Sequence, residues 1–246
     1  IKTASDFLMN LQQGGSYLPE SNSNLLIRMP AIVIGCGLTA IDSAVELIHY
    51  YPVMVEKFFL SWEKKSNPEK NLTQEEKEIA KELIQHAKLF RLCKNDEEKL
   101  EIINKLGGVT ICYRKTIKES PAYRLNHEEI EHAIALGVKF EEEISPQIIH
   151  KDKNGTVSSI TFDNGKQIKA KSVLLAIGTK NNEFQDIADA DTKTYDSMVS
   201  YFGDCNPRYA GSVVKALASA KGGYKEISKK LSQKPLRKDS LDYRIF

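Results

Sequence analysis

Three small residues and one basic pair are the part of this sequence whose types and spacing could do chemistry. Gly35-x-Gly37-x-x-Ala40 has a definite job where a buried strand turns into a helix. The first glycine makes the tight turn, the second lets a dinucleotide pyrophosphate approach the backbone, and the small third residue lets helix and strand pack closely. Free N–H groups and the positive end of the helix dipole then face the phosphates. The other reading is a turn with a structural role only. Arg114-Lys115 come after the strand-like run Val109 to Tyr113. If that run is the second strand of the unit, its end carries two cations where an acid would normally hold the ribose 2′-hydroxyl. Two cations suit a 2′-phosphate, Arg114 in a planar forked manner, so the pair predicts NADPH. The other reading is an exposed basic pair at a strand end.

These residues need particular elements to position them. Ala31-Ile32-Val33-Ile34 is a short apolar run typical of a buried parallel strand, and from Thr39 the positions Ile41, Ala44, Val45 and Ile48 recur at helical spacing. The glycine motif therefore joins strand to helix. Ahead of it, residues 2 to 12 place Ala4, Phe7, Leu8 and Leu11 on one helical face that ends at Gly14-Gly15, with no strand expected before it. Residues 56 to 106 become rich in lysine and glutamate. A capping box, Thr73-x-x-Glu76, opens one helix there, and a second is expected from Asp96 to Leu106, ended by Gly107-Gly108. This region reads as a solvated helical hairpin inserted between the first two strands, with a docking surface as the alternative.

Further on, the pattern predicts a helix from about Asn126 to Leu136 and a strand at Val138 to Phe140. Gln147 to His150, Val157 to Phe162 and Gln167 to Lys169 are separated by Asn154-Gly155 and Asn164-Gly165, strong hairpin signals that predict a three-stranded antiparallel meander. Val173 to Ile177 is a buried-type strand ending at Gly178-Thr179. Val199 to Phe202 leads to Gly203-Asp204, Ser212 to Gly222 reads as a small-residue helix, and Lys229 to Phe246 as a weakly ordered basic tail.

Several chemistries find no support. His49, His86, His127, His132 and His150 show no metal-ligand spacing. No tyrosine is followed four residues later by lysine, and no G-x-S-x-G occurs. Cys36, Cys93, Cys112 and Cys205 form no C-x-x-C pair, which argues against zinc or iron–sulfur sites and suits reduced thiols in the cytoplasm. A net charge of +2 from 35 basic and 33 acidic residues spread along the 246-residue chain is unlike a nucleic-acid binder. No apolar run reaches the roughly 18 residues of a membrane span, and the first residue is Ile1, with no charged-then-apolar leader. A nucleotide site without substrate chemistry of its own is what a flavin acceptor would require.

Gly35-Cys36-Gly37-Leu38-Thr39-Ala40-Ile41-Asp42, Tyr113-Arg114-Lys115, Gly178-Thr179, and Gly203-Asp204 with Gly211-Ser212-Val213-Val214-Lys215-Ala216 occur in this order. Together they resemble the glutamate synthase small (beta) subunit and related pyridine-nucleotide flavoproteins. The resemblance implies an NADPH domain inserted into an FAD domain, with the last chain segment returning to the latter. It gives Gly35, Gly37, Leu38, Thr39 and Ala40 to the NADPH pyrophosphate and Arg114 and Lys115 to its 2′-phosphate. Gly178 would lie at the cofactor, and Gly203 and Asp204 at the flavin ribityl chain. The family's FAD-binding glycine loop and the Cys-rich segment ahead of it have no counterpart in the 246 residues, and the helical insertion is longer than the family's. The expected fold is therefore α/β: a Rossmann-type parallel sheet with a three-stranded antiparallel β-meander, a helical insertion, and an incomplete second (FAD) domain. The expected domains are an edge segment at 1–27, an NADPH domain at 28–182 with its insertion at 56–106, and a returning FAD segment with a basic tail at 183–246. The expected function is hydride transfer from NADPH to FAD with help from an upstream FAD-domain polypeptide or an electron-acceptor subunit. The alternative is a non-catalytic remnant or a nucleotide-binding regulatory fragment.

Overall fold

The computed structural model describes residues 1–178, 202–206, 208–209 and 213–233. The chain divides into two compact units, Ile1–Gly178 and Thr179–Phe246.

In the first unit the elements run β1 (Lys2–Thr3), α1 (Ala4–Gln13), β2 (Ala31–Ile34), α2 (Leu38–Glu63), α3 (Gln74–Arg91), α4 (Asp96–Lys105), β3 (Val109–Cys112), α5 (Pro121–Ala135), β4 (Lys139–Glu141), β5 (Pro146–Lys151), β6 (Val157–Phe162), β7 (Gln167–Lys169) and β8 (Ser172–Leu175). Five strands form one parallel sheet in the order β1-β8-β2-β3-β4, and β5-β6-β7 form a separate antiparallel sheet. β2 is central, with Ile34 opposite both Cys112 and Leu175. Its four residues are all buried because both sheet faces are covered.

Alternation along the strands sorts the core into two layers. Ala31, Val33, Val109, Ile111 and Leu174 face one way and pack with Phe7, Leu11, Ala44, Leu47, Leu83 and Ile130 from the helices. Ile32, Ile34, Cys112 and Val173 face the other way and pack with Ile160, Phe162 and Ala170 of the meander. Helices lie on one face and the meander on the other. This is a Rossmann-type arrangement, as the strand and helix periodicities predict. The meander turns also follow the expected chemistry, with Gly155 and Gly165 at φ 80° and 81°.

Four boundaries differ from the sequence reading. A two-residue strand does precede α1: Lys2 and Thr3 pair in parallel with Leu174 and Leu175. Two exposed residues have no pattern of their own, and the partner strand alone makes them a strand. α2 runs through Pro52 to Glu63, so the charged stretch begins inside a helix. An interior proline costs ~3 kcal/mol, but Tyr50, Tyr51, Met54, Val55 and Phe59 are all buried around it and outweigh that cost. α5 starts at Pro121 behind Ser120, whose hydroxyl accepts from the Tyr123 N–H at 3.1 Å. A break at Asn126, with φ −160° and ψ 87°, divides it where the sequence placed its start.

The fourth difference lies in the second unit, where α6 spans Val213–Ser232 and includes Lys229 and Lys230 of the expected tail. It passes through Gly222-Gly223 because the Phe202 ring lies where a Gly223 side chain would stand. The Gly203–Cys205 turn is tied to α6 by the Gly203 N–H donating to Ser219 Oγ at 2.8 Å. The remaining tail, 234–246, and residues 199–201 of the segment leading to Gly203-Asp204 lie outside the described residues.

Candidate functional site

From β2 the chain moves to β3 and β4 on one side, and later returns as β8 on the other. Strand order therefore reverses at β2, and in open α/β sheets such a switch point leaves a crevice outside the carboxyl ends of the strands. The Gly35 turn sits there. Its N–H donates to the Cys112 carbonyl at 2.9 Å, and across the turn Ala176 N–H donates to the Ile34 carbonyl at 2.8 Å. Gly35 has φ +120°, and a Cβ there would overlap the Ala176 carbonyl. Only glycine fits.

Gly37 is different. It caps α2 with φ −90° and ψ 174°, and a Cβ there would meet no atom within 4 Å. No side chain caps this helix and no acid lies in its first turn. The Gly37 carbonyl accepts from Ala40 N–H at 2.9 Å and Ile41 N–H at 3.2 Å. Among the described residues, the N–H groups of Leu38 and Thr39 have no partner. Thr39 is exposed, Leu38 half-buried, and Ala40 buried against β2. The amino terminus of α5 lies against the same loop, but its donors are spent: Ala122 N–H goes to the Cys36 carbonyl at 3.3 Å and Tyr123 N–H to Ser120. One helix terminus at this edge is open and the other is closed.

The Cys36 side chain is buried inside the loop. Burial pushes its thiol up, a hydrogen bond with Ser120 opposes that, and Glu142 adds to it. It stays protonated and acts as packing. Asp42, one turn into α2, is held above the ordinary carboxylate value by desolvation and by Glu129 and Glu46.

Arg114 and Lys115 are exposed just beyond β3. Their backbone is held from the neighbouring segment: Tyr113 N–H donates to the Glu141 carbonyl at 2.9 Å, Ile144 N–H to the Tyr113 carbonyl at 3.0 Å, and Glu143 N–H to the Lys115 carbonyl at 3.3 Å. Since Cys112 pairs with Ile34, the basic pair and the glycine turn follow directly from adjacent strand ends. Lys115 Nζ lies 3.5 Å from Glu119. Among the described residues, no carboxylate pairs with Arg114. Gly178, with φ +98°, follows β8 on the same edge.

The structure thus brings Gly35, Gly37, Leu38, Thr39, Ala40, Arg114, Lys115 and Gly178 to one edge of the sheet. Gly203 and Asp204 belong to the second unit, in a short turn. Thr179, Gly211 and Ser212 lie outside the described residues. The sequence reading missed the closed terminus of α5 and Glu119. The Ser120-Pro121 dipeptide, an N-cap followed by proline at the first helical position, was the available signal. A groove of about 490 Å³ lies elsewhere, between β1 and α1, lined by Lys2, Thr3, Asp6 and Phe7 among others.

No protein-family model matches the sequence. The chain is 47% identical over 256 aligned residues to an uncharacterized protein, RP006, of Rickettsia prowazekii (strain Madrid E), with 94% of this chain and 34% of that protein covered. It spans about a third of that relative's length. A crystal structure of the ferredoxin reductase for the CYP199A2 system from Rhodopseudomonas palustris aligns at TM-score 0.30 and 8% identity, over 60% of this chain and 23% of that one. A likeness of that size says nothing about chemistry. Among the described residues no helix is long and apolar enough to cross a membrane.

Proposed function

We propose that the first unit binds NADPH and presents it for hydride transfer to FAD, in a flavin-dependent oxidoreductase of the kind that the glutamate synthase small subunit exemplifies. One observation carries this reading. Among the described residues, the switch point holds an uncapped helix terminus with free N–H groups over a glycine whose missing side chain leaves open space, and the next strand ends in an arginine that meets no carboxylate. The residues fit the nucleotide. Leu38 and Thr39 N–H groups and the α2 dipole would receive the pyrophosphate, with Gly37 allowing close approach. Arg114 and Lys115 would receive the 2′-phosphate. Bound NADPH supplies a hydride, for which FAD is the proposed acceptor.

Flavin contacts are proposed for Gly203 and Asp204. The Gly203 N–H is already given to Ser219, so that donor does not contribute to a pyrophosphate cradle for FAD. We place the cradle in the remainder of a longer polypeptide or in a partner subunit, the source of the upstream FAD domain. Calorimetric titration with NADPH tests the reading: micromolar, saturable binding is expected, and no binding in a folded chain overturns it.

A further inference from the structure

Arg114 and Lys115 are adjacent in sequence but not equivalent in the structure. Arg114 is exposed, and among the described residues it meets no carboxylate. Lys115 Nζ lies 3.5 Å from Glu119 Oε1. The other oxygen of Glu119 is fixed from the opposite side, accepting from Thr116 N–H at 3.3 Å and Thr116 Oγ1 at 3.0 Å. This reciprocal cap opens the short 3₁₀ turn Ile117–Glu119 and keeps the carboxylate from swinging away. The Thr116 hydrogen bonds, with Lys115 adding, hold Glu119 below the ordinary carboxylate value, so it is ionised at neutral pH. Glu142 places a second carboxylate on the same turn by accepting from Ile117 N–H at 2.6 Å.

We propose that Glu119 sets the margin between NADPH and NADH, because it engages Lys115 and puts a fixed negative charge beside the place a 2′-phosphate must enter. This rests on the nucleotide reading above. A phosphate approaching Lys115 has to compete with Glu119, whereas NADH brings no such group and loses nothing. Discrimination therefore falls mainly on Arg114 and is smaller than two free cations would give. An anion-binding edge that carries its own anion is tuned for moderate selectivity.

The test is calorimetric titration of the full chain with NADPH and NADH, compared with Glu119→Gln, whose amide oxygen still accepts from Thr116. The ratio of the NADH to the NADPH dissociation constant should rise about two- to fivefold, the range spanned by an exposed ion pair. In a Lys115→Met background that rise should shrink. Lys115→Met alone should lower the ratio less than Arg114→Ala does, a comparison that stands even if Glu119→Gln folds poorly. An unchanged ratio, equal tightening of both nucleotides, or a larger loss from Lys115→Met than from Arg114→Ala each overturns the inference while leaving the nucleotide site intact. If the unmutated chain binds neither nucleotide, the site reading fails and this inference goes with it.

Discussion

At Gly37 the backbone is extended and a side chain would point into open space, whereas at Gly35 a Cβ would strike the Ala176 carbonyl at a left-handed φ of +120°. Two glycines of one motif therefore have separable roles. Gly37→Val should cost about 1 kcal/mol of stability or less and yet abolish NADPH binding, because the branched side chain occupies the pyrophosphate's approach. Gly35→Ala should destabilise the first unit by about 2–4 kcal/mol through strain and overlap. Urea unfolding and calorimetry on both variants check this, and undiminished NADPH affinity in folded Gly37→Val would reduce the loop to a turn. Arg114→Ala should weaken NADPH by about 1–3 kcal/mol with little change for NADH. Equal weakening of the two would show that the arginine does not read the 2′-phosphate.

Glu82 on α3 accepts from Arg28 Nη2 at 2.7 Å and Nε at 3.3 Å, and from Lys171 Nζ at 2.7 Å. It thereby ties α3 to the segment before β2 and to the turn before β8. Burial would raise Glu82, but the bonds from Arg28 and Lys171 outweigh it and hold the carboxyl below its ordinary value. On the same helix, His86 Nδ1 lies 2.7 Å from Tyr51 Oη. Burial lowers His86, Glu82 partly opposes that, and Lys171 and Arg28 add to it. Both groups have depressed folded values, so both contribute stability that is present at neutral pH and lost on acidification. The His86 part falls away below its ordinary value of 6.5, and the Glu82 part below its ordinary value of 4.5. Glu82→Ala should cost about 2–3 kcal/mol at pH 7, because Arg28 is left half-buried and unpaired. It should also flatten the acid limb below pH 4.5. Urea midpoints between pH 7 and pH 3.5 decide, and an unaltered acid limb in the variant would remove Glu82 as its source.

The described residues hold one uncapped helix terminus over an open glycine, and we assign it to NADPH. A flavin pyrophosphate has the same need for donors and positive charge. The purified 246-residue chain should therefore take up NADPH but carry no stoichiometric FAD, and should pass no electrons from NADPH to a dye. Supplying the FAD-domain polypeptide proposed above should restore flavin retention, which Asp204→Ala should weaken. The check is visible absorbance after gel filtration, and a yellow chain with equimolar flavin would overturn this division of labour.

Much of this was legible in the residues themselves. Buried parallel strands read as apolar runs, hairpins as Asn-Gly pairs, and α3 as a capped amphipathic stripe, because each follows from local backbone and burial rules. The places of the glycine motif and the basic pair were legible too, since they sit at element junctions that the pattern marks. Tertiary structure decided what depends on partners distant in sequence. β1 exists because β8 offers it a ladder, and α2 survives Pro52 because the core surrounds it. Gly35 must be glycine because Ala176 is there, and among the described residues Lys115 meets a carboxylate where Arg114 meets none, because Thr116 fixes Glu119. Local propensity is a property of short segments. Register, close approach and the pairing of charges arise only when those segments are brought together.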